Sequence, residues 1–268
     1  MNLKTKSSYE YQEQVLLYHN DSLELLKEFP DSSIDLIFAD PPYFLSNDGV
    51  TCNGGKMVSV NKGDWDKVSH LPIEEFYYLF LIEAQRIIKP SGSIWVSGTM
   101  HNIYQIGYLM SKLEMRILNN ITWQKKNPPP NLSCKMFTHS TETILWASKN
   151  KKSKFLFNYS LMKEENEGKQ MKDVWSFSLT KKSEKNFGKH PTQKPLDLLR
   201  RIIKASSNPA DLILDPFLGS GTTGVAAIEL GRRFIGIDIK KEYVELAIKR
   251  IEHALQQQEE KGNGNSIC

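Results

Sequence analysis

The sequence predicts an α/β fold with a mostly parallel sheet and helices on both of its faces. Short apolar runs rich in β-branched residues, at 34–39, 93–97 and 212–215, are typical of strands that are buried on both sides. Segments with helical periodicity, such as 74–88 and 241–255, separate or follow these runs. Strands and helices therefore alternate along the chain, which is the pattern of a sheet covered by helices.

Length and composition fit either one α/β domain with an insertion or two small domains. The 268 residues are 40% hydrophobic, which is ample for a core. No apolar stretch approaches the roughly 18 residues of a membrane span, and the first residues lack the apolar region of a signal peptide. Cys52, Cys134 and Cys268 fit no metal-binding spacing. We therefore expect a cytoplasmic protein with reduced thiols, no membrane partner and no metal.

The positive charge of the chain is concentrated in one segment. The formal net charge is +4, yet residues 125–190 hold fourteen lysines and six acidic residues, a net +8, so the remainder carries −4. Aromatic residues are interleaved with these lysines, as expected of a surface that binds phosphates. The alternative is an ordinary solvated lysine face.

The segment Asp40, Pro41, Pro42 and Tyr43 directly follows the predicted strand 34–39. Ligands of open α/β sheets bind beyond the carboxyl ends of the strands, where Asp40 lies. The prolines fix φ and remove N–H donors, so this turn offers mainly oxygen acceptors. It suits an exocyclic amine with two N–H donors, and the Tyr43 ring suits stacking on a flat base. The alternative is a turn in which Asp40 only caps the next segment.

A second constellation, at 212–224, has the order strand, glycine turn and helix start that a nucleotide-binding loop requires. The next strand ends at Asp238, 19 positions after Gly219, where a carboxylate can hold ribose hydroxyls. Asp215, just before the glycines, would repel a pyrophosphate but attract the ammonium and sulfonium groups of S-adenosylmethionine. The charges therefore favour this methyl donor over the NAD of an oxidoreductase.

Three further segments carry expectations. Asp21 follows a predicted strand at 14–19, where it can cap the next helix, accept a hydrogen bond from an adenine amino group, or do both. Residues 44–68 are rich in glycine and asparagine, which favours a long loop that closes over the nucleotide. The tail at 256–268 is expected to be disordered.

Together, the segments 40–43 and 215–223 resemble the amino-group DNA methyltransferases, and their order, catalytic motif first and cofactor loop last, is similar to the β group of that family. The chain looks most like the GATC adenine methylases of DpnII-type restriction-modification systems. Four further stretches support this resemblance, namely 38–47, 119–125, 137–143 and 189–195. Similar stretches occur in relatives with other recognition sites, such as the HinfI-type methylase.

The resemblance implies a Rossmann-like, S-adenosylmethionine-dependent methyltransferase fold with permuted motif order and an inserted target-recognition region. It divides the chain into a catalytic half at 1–124, the target-recognition region with some core strands at 125–190, the cofactor-binding half at 191–255 and the tail. It also implies bacterial DNA as partner, and a homodimer is frequent in this group.

By the same resemblance, Asp40, Pro41, Pro42 and Tyr43 are catalytic. The residues expected to line the cofactor site are Asp21, Asp40, Gln193, Lys194, Asp215, Phe217, Gly219, Ser220, Gly221, Thr222 and Asp238.

The chemistry of adenine suggests how the catalytic turn works. The lone pair of N6 is delocalised into the ring, so the Asp40 carboxylate and the Pro41 carbonyl would accept the two N6 hydrogens and localise that lone pair for transfer. The base must leave the duplex, with Tyr43 stacking on it. Cytosine-N4 methylation by the same pocket, an adenine target in another sequence, and methylation of RNA or a protein amide are the alternatives.

Overall fold

A nine-stranded mixed sheet forms the centre of the protein in the computed structural model, which describes residues 7–43, 50–53, 56–59, 71–188 and 190–264. In chain order the strands are β1 (Tyr9–Tyr11), β2 (Val15–His19), β3 (Ile34–Ala39), β4 (Val50–Asn53), β5 (Lys56–Ser59), β6 (Ile88–Gly98), β7 (Arg116–Lys125), β8 (Thr141–Ser148), β9 (Val174–Phe177), β10 (Leu212–Asp215) and β11 (Arg233–Asp238). The helices are α1 (Ser22–Leu26), α2 (Ile73–Ile87), α3 (Ile103–Lys112), α4 (Tyr159–Glu164), α5 (Leu196–Ser206), α6 (Thr222–Glu229) and α7 (Lys241–Gly264).

The sheet is mostly parallel, as the sequence predicts. Its order is β1-β2-β11-β10-β3-β6-β8-β7-β9, and the five strands from β2 to β6 in that order are parallel neighbours. Strand β8 runs antiparallel to both β6 and β7, whereas β7 and β9 are parallel. The start of β8 therefore lies at the same edge as the carboxyl ends of β3 and β7.

The two main motifs lie side by side because their strands are neighbours. Strands β3 and β10 pair in parallel, with Leu36 opposite Ile213 and Ile37 opposite Leu214. Both strands end at the same sheet edge, so Asp40 and Asp215 emerge next to each other. This pairing places the turn at residues 40–43 next to the glycine turn.

Helices cover both faces of the sheet, which confirms the predicted layers. One face packs against α4, α5, α6 and α7 through a cluster that includes Trp95, Trp146 and Phe234. The other face packs against α1, α2 and α3 through a cluster that includes Tyr77 and Ile94. Successive strand residues alternate between these two clusters, as expected of strands buried on both sides.

The structure corrects two expectations about the less regular segments. Helix α7 continues to Gly264, so the expected disorder from residue 256 is wrong as far as 264. Residues 256–261 have no apolar stripe, but Gln, Glu and Lys all favour helix. Within the expected loop 44–68, β4 and β5 form an antiparallel pair. The rest of that loop, and its predicted closure over a nucleotide, lie outside the described residues.

Strands β1 and β9 and helix α4 have no counterpart in the sequence prediction. Residues 125–190 contribute β8 and β9 to the central sheet, while the division of the chain at 124, 190 and 255 stays a prediction. Among the residues described, none of the helices is both long and apolar enough to cross a membrane.

Candidate active site

Four charged side chains from distant parts of the chain form one connected cluster at the carboxyl edge of the sheet. The Lys194 ammonium lies 2.6 Å from Oδ2 of Asp40 and 3.3 Å from Oε2 of Glu142. The other oxygen of Glu142, Oε1, lies 2.9 Å from Nζ of Lys125. We call Asp40, Lys194, Glu142 and Lys125 the charge network. The four side chains are only 7% to 15% exposed, so these contacts are little screened by water.

The turn after β3 is fixed by hydrogen bonds on both sides of Asp40. The Tyr43 hydroxyl donates to Oδ1 of Asp40 at 2.7 Å, and Nζ of Lys194 donates to the Tyr43 oxygen at 3.1 Å. From α2, the Tyr77 hydroxyl donates to the Pro42 carbonyl at 2.7 Å. The structure therefore brings Asp40, Tyr43 and Lys194 together, as the sequence predicts.

The charges of the network support one another. Burial raises the pKa of Asp40 above its ordinary value, although the Lys194 ammonium opposes that rise. Burial alone would lower the pKa of Lys194, but Asp40 and Glu142 outweigh it and hold that pKa well above its usual range. Burial would also raise the pKa of Glu142, yet the ammonium groups of Lys194 and Lys125 bring it below its usual range. At neutral pH Lys194 is therefore a protonated ammonium group between the carboxylates of Asp40 and Glu142.

The carboxylates of Asp215 and Asp238 are held by hydrogen bonds from residues at most 19 positions away in sequence. Asp215 accepts hydrogen bonds from the Thr223 hydroxyl at 2.5 Å and the Phe217 amide at 3.0 Å. Asp238 accepts from the Gly219 amide at 2.8 Å and the Lys240 amide at 2.9 Å. Burial raises the pKa of Asp215 to about 7 and that of Asp238 to about 6. A bound cation would lower both values.

The glycine turn packs too tightly for other residues. Gly221 has a φ of +74°, and a Cβ there would come within 2.7 Å of Ala247 on α7. Gly219 has a φ of +49° and lies against the His190 ring. From α7, the buried Arg250 guanidinium donates to the Ser220 carbonyl at 2.6 Å and to the Thr222 hydroxyl at 2.9 Å. The turn is therefore held in shape without a ligand.

The remaining predicted residues lie at the same edge. Asp21 caps α1, accepting from the Leu23 amide at 2.7 Å, which confirms its capping role. Its neighbour Ser22 donates to the Pro216 carbonyl. Phe217 packs on the aromatic rings of α2. Gln193 donates its side-chain N–H to the Glu184 carbonyl at 3.0 Å, while its buried Oε1 has no partner.

Sequence reasoning missed Glu142, Lys125, Thr223 and Arg250 as site residues. Glu142 is the one charged residue of β8, which is a detectable signal. Arg250 shares the stripe of α7 that includes Ala247, so helical periodicity predicts it to face inward. Lys125 is one of many lysines in its segment, and Thr223 is one of several small polar residues after the glycines, so neither is distinctive.

The polar groups at this edge suit S-adenosylmethionine. Two buried carboxylates, Asp215 and Asp238, provide acceptors for an ammonium group and for ribose hydroxyls. The unpartnered Oε1 of Gln193 is a further buried acceptor. Within the part of the chain that the structure describes, no group of three or more His, Cys, Asp or Glu side chains is placed to hold a metal ion.

Comparison of the sequence with known proteins identifies relatives over most of the chain. The profile of the N6/N4 methylase family, described as DNA methylase, matches residues 34–249. The chain is 60% identical to the type II methyltransferase M2.LlaDCHI of Lactococcus lactis subsp. cremoris, over 93% of each protein. It is 58% identical to M2.DpnII of Streptococcus pneumoniae, over 93% of this chain and 94% of that protein.

Solved structures agree with these relatives. A complex of M1.HpyAVI with S-adenosylmethionine matches with a TM-score of 0.65 and 27% identity, over 88% of this chain and 98% of that one. The PvuII cytosine-N4-specific DNA methyltransferase matches with a TM-score of 0.72 and 22% identity, over 91% and 88%, which shows a shared fold. These comparisons confirm the predicted fold and class of enzyme. The chain belongs to the N6/N4 DNA methylase family and is a DNA methyltransferase.

Proposed function

We propose that the protein transfers a methyl group from S-adenosylmethionine to N6 of an adenine flipped out of the DNA, within GATC, as the protective modification of a restriction-modification system. The observation that carries this proposal is the position of Asp40, an acceptor that is 15% exposed and directly follows β3, the strand next to the one that ends at Asp215. The identity of about 60% to M2.LlaDCHI and M2.DpnII supports the DpnII type.

The chain's own residues would prepare the amine in the following way. Asp40 and the Pro41 carbonyl accept hydrogen bonds from the two N6–H groups, which localises the nitrogen lone pair. Once it carries the methyl group, N6 is cationic and loses one proton, to water or through Asp40. Lys194 donates to the Asp40 carboxylate and opposes the rise in its pKa that burial causes, which favours the ionised form. Because Lys194 also pairs with Glu142, it keeps a partner when Asp40 turns to the substrate. Tyr43 stacks on the base.

The cofactor half would hold the donor next to that amine. S-adenosylmethionine supplies an electrophilic methyl group when it is bound. Asp215 attracts its cationic end, Asp238 accepts from its ribose, and Gln193 offers a further acceptor. The remaining predicted contacts are with Asp21, Lys194, Phe217, Gly219, Ser220, Gly221 and Thr222.

Cytosine-N4 transfer is the second candidate. Its exocyclic amine presents the same two N–H donors to Asp40 and Pro41, and the fold is shared with the cytosine-N4-specific PvuII enzyme. The Asp at the start of the catalytic motif favours adenine over cytosine.

Transfer of a labelled methyl group tests the proposal. Two duplexes of equal base composition, one with GATC and one with GTAC, are incubated with labelled S-adenosylmethionine and then digested to nucleosides. We expect label in N6-methyladenine from the GATC duplex alone. Label in N4-methylcytosine would replace the adenine assignment, whereas equal label from both duplexes would refute the recognition site.

We also propose that residues 125–190 read the target, that the enzyme acts in the bacterial cytoplasm with its DNA, and that it forms a homodimer. Exchange of residues 125–190 with a relative of different specificity is expected to move the methylated site. Sedimentation velocity at several concentrations is expected to show a species of twice the 30.7 kDa chain mass. A purely monomeric species would refute the homodimer.

A further inference from the structure

The loop that joins β7 and β8, residues 126–140, presents an exposed aromatic ring beside the active site. Phe137 is 97% exposed and Met136 is 62% exposed. Phenylalanine is among the residues most often buried in proteins, so a ring this exposed needs a reason. Phe137 has the largest exposed fraction among the large hydrophobic side chains in the described part of the chain.

The base of this β7–β8 loop is part of the catalytic edge. Lys125, the last residue of β7, and Glu142, the second residue of β8, both belong to the charge network that contains Asp40. The Lys125 amide donates to the Ser140 carbonyl at 2.8 Å and closes the loop at its base. Whatever DNA reaches Asp40 therefore passes close to this loop.

The loop is held in shape by its own residues. Three consecutive prolines, 128–130, fix backbone φ angles. The Asn131 side chain donates to the Met136 carbonyl at 2.9 Å and accepts from the Ser133 amide at 3.0 Å. Asn127 accepts from the Leu179 amide at 2.9 Å and ties the loop to the segment after β9. The loop thus presents Phe137 in an ordered way, and little conformational entropy is lost on binding.

The charge of the loop fits DNA. Residues 126–140 contain Lys126 and Lys135, both exposed, and no acidic residue. The phosphates of DNA attract such a positively charged surface. The apolar ring of Phe137, in contrast, gains nothing from contact with phosphate. Apolar side chains do insert between base steps, where they fill space and hold the duplex open. A base that leaves the stack creates such a space.

We propose that Phe137 inserts into the DNA stack next to the target adenine and takes the place of the flipped base, with Lys126 and Lys135 on the flanking phosphates. This inference rests on the proposed transfer to a flipped-out adenine. It assigns to Phe137 a contact with the substrate that stabilises the open duplex and leaves the chemistry to Asp40.

The test compares two hemimethylated GATC duplexes, so that one adenine is the target. In one duplex the target adenine is opposite thymine. In the other it is opposite an abasic site, so there is no base pair that Phe137 would have to hold open. We measure single-turnover methylation by wild type, Phe137→Ala and Phe137→Trp. Tyr108→Ala, which removes a half-exposed ring on α3, is the matched control.

On the paired duplex we expect Phe137→Ala to slow methylation about 10- to 100-fold, the range expected from losing one stacked aromatic contact. On the abasic duplex, Phe137→Ala should regain most of the lost rate. On the paired duplex, Phe137→Trp should methylate at close to the wild-type rate. With 2-aminopurine at the target position, the fluorescence rise on binding should shrink in Phe137→Ala. Tyr108→Ala should match wild type throughout.

Three outcomes would refute the insertion of Phe137 into the DNA. The first is an unchanged methylation rate for Phe137→Ala on the paired duplex, and the second is an equal loss of rate on both duplexes. The third is a change of oligomeric state in the variant, which would assign Phe137 to a protein interface. The wild-type arm separates this from the proposed function. If wild type puts no label into the GATC adenine, the proposed function fails. If wild type is active and one of these three outcomes is found, only the insertion of Phe137 is refuted.

Discussion

The region around Asp215 and Asp238 and the charge network differ in how far apart their interacting residues lie in sequence. Asp215 and Asp238 accept hydrogen bonds from donors that all lie between residues 217 and 240. In the charge network, Asp40 and Lys194 are 154 positions apart and meet only because the sheet brings them together. Local sequence therefore builds one carboxylate pair, and the tertiary fold builds the other.

The donors differ as well, and so does the expected pH behaviour. Asp215 receives a hydroxyl and an amide, so burial dominates and its pKa rises to about 7. Asp40 also has a raised pKa from burial, but an ammonium at 2.6 Å opposes that rise. Asp40 therefore has a cation that opposes the effect of burial on its pKa, whereas Asp215 has only a hydroxyl and an amide as donors.

Removing the catalytic acceptor should give the largest effect. Asp40→Ala removes the group that accepts an N6 hydrogen, so we expect methyl transfer to fall by about 10³-fold or more. Binding of S-adenosylmethionine, measured by calorimetry, should stay largely intact. Asp31→Ala, which removes a carboxylate that is 77% exposed, is the control. Substantial residual turnover by Asp40→Ala would refute the mechanism.

The next largest effect should come from the cation between the two carboxylates. Lys194→Met leaves Asp40 and Glu142 without their shared partner, and breaking a buried ion pair costs about 3–5 kcal/mol of unfolding free energy. Lys125→Met, which removes a cation from Glu142 alone, should cost less. Urea unfolding of both variants gives the comparison. Equal losses of unfolding free energy in the two variants would mean that the Asp40–Lys194 ion pair adds no stability of its own.

Glu142→Gln should change activity less and move its pH dependence. Glu142 helps to raise the pKa of Asp40 and also draws Lys194 away from it. Without that charge the pKa of Asp40 falls, so the acid limb of the kcat profile should shift to lower pH. Lys194 then pairs more tightly with Asp40, and we expect kcat to drop several-fold. Glu165→Gln, which loses a more exposed ion pair with Lys204, should leave the limb in place. A shift to higher pH would contradict this role.

The smallest effect should appear in cofactor binding. Because the pKa of Asp215 is about 7, its carboxylate gains charge as pH rises through 7 and attracts a cationic ligand more strongly. Affinity for S-adenosylmethionine should therefore weaken below pH 7, by at most about tenfold per pH unit. Asp215→Asn should bind more weakly at pH 8 and lose most of this dependence. Calorimetry between pH 5.5 and 8 measures the affinity of wild type and variant. If affinity depends on pH in Asp215→Asn as it does in wild type, another group is responsible for the dependence.

The same contrast explains what the sequence could predict. The strands ending at Asp40, Asp215 and Asp238 and the glycine turn follow from local patterns, and the structure has them. Local patterns indicate that Glu142 and Arg250 face inward, but their partners Lys194 and Ser220 come from other parts of the chain and are identified only by the fold. The extension of α7 to Gly264 was missed because the residues beyond 255 have helix propensity without an apolar stripe.

The position of β10 has a consequence for how the chain is made. This strand fills the middle of the sheet between β3 and β11, and its first amide donates to Asp35, which lies 177 positions earlier. A ribosome therefore releases β3 long before the strand that pairs with one of its edges, and that edge stays open during synthesis. Until residues 212–215 have been translated, Asp40 has no neighbouring strand end beside it. The two carboxylates Asp40 and Asp215 therefore come together only late in synthesis.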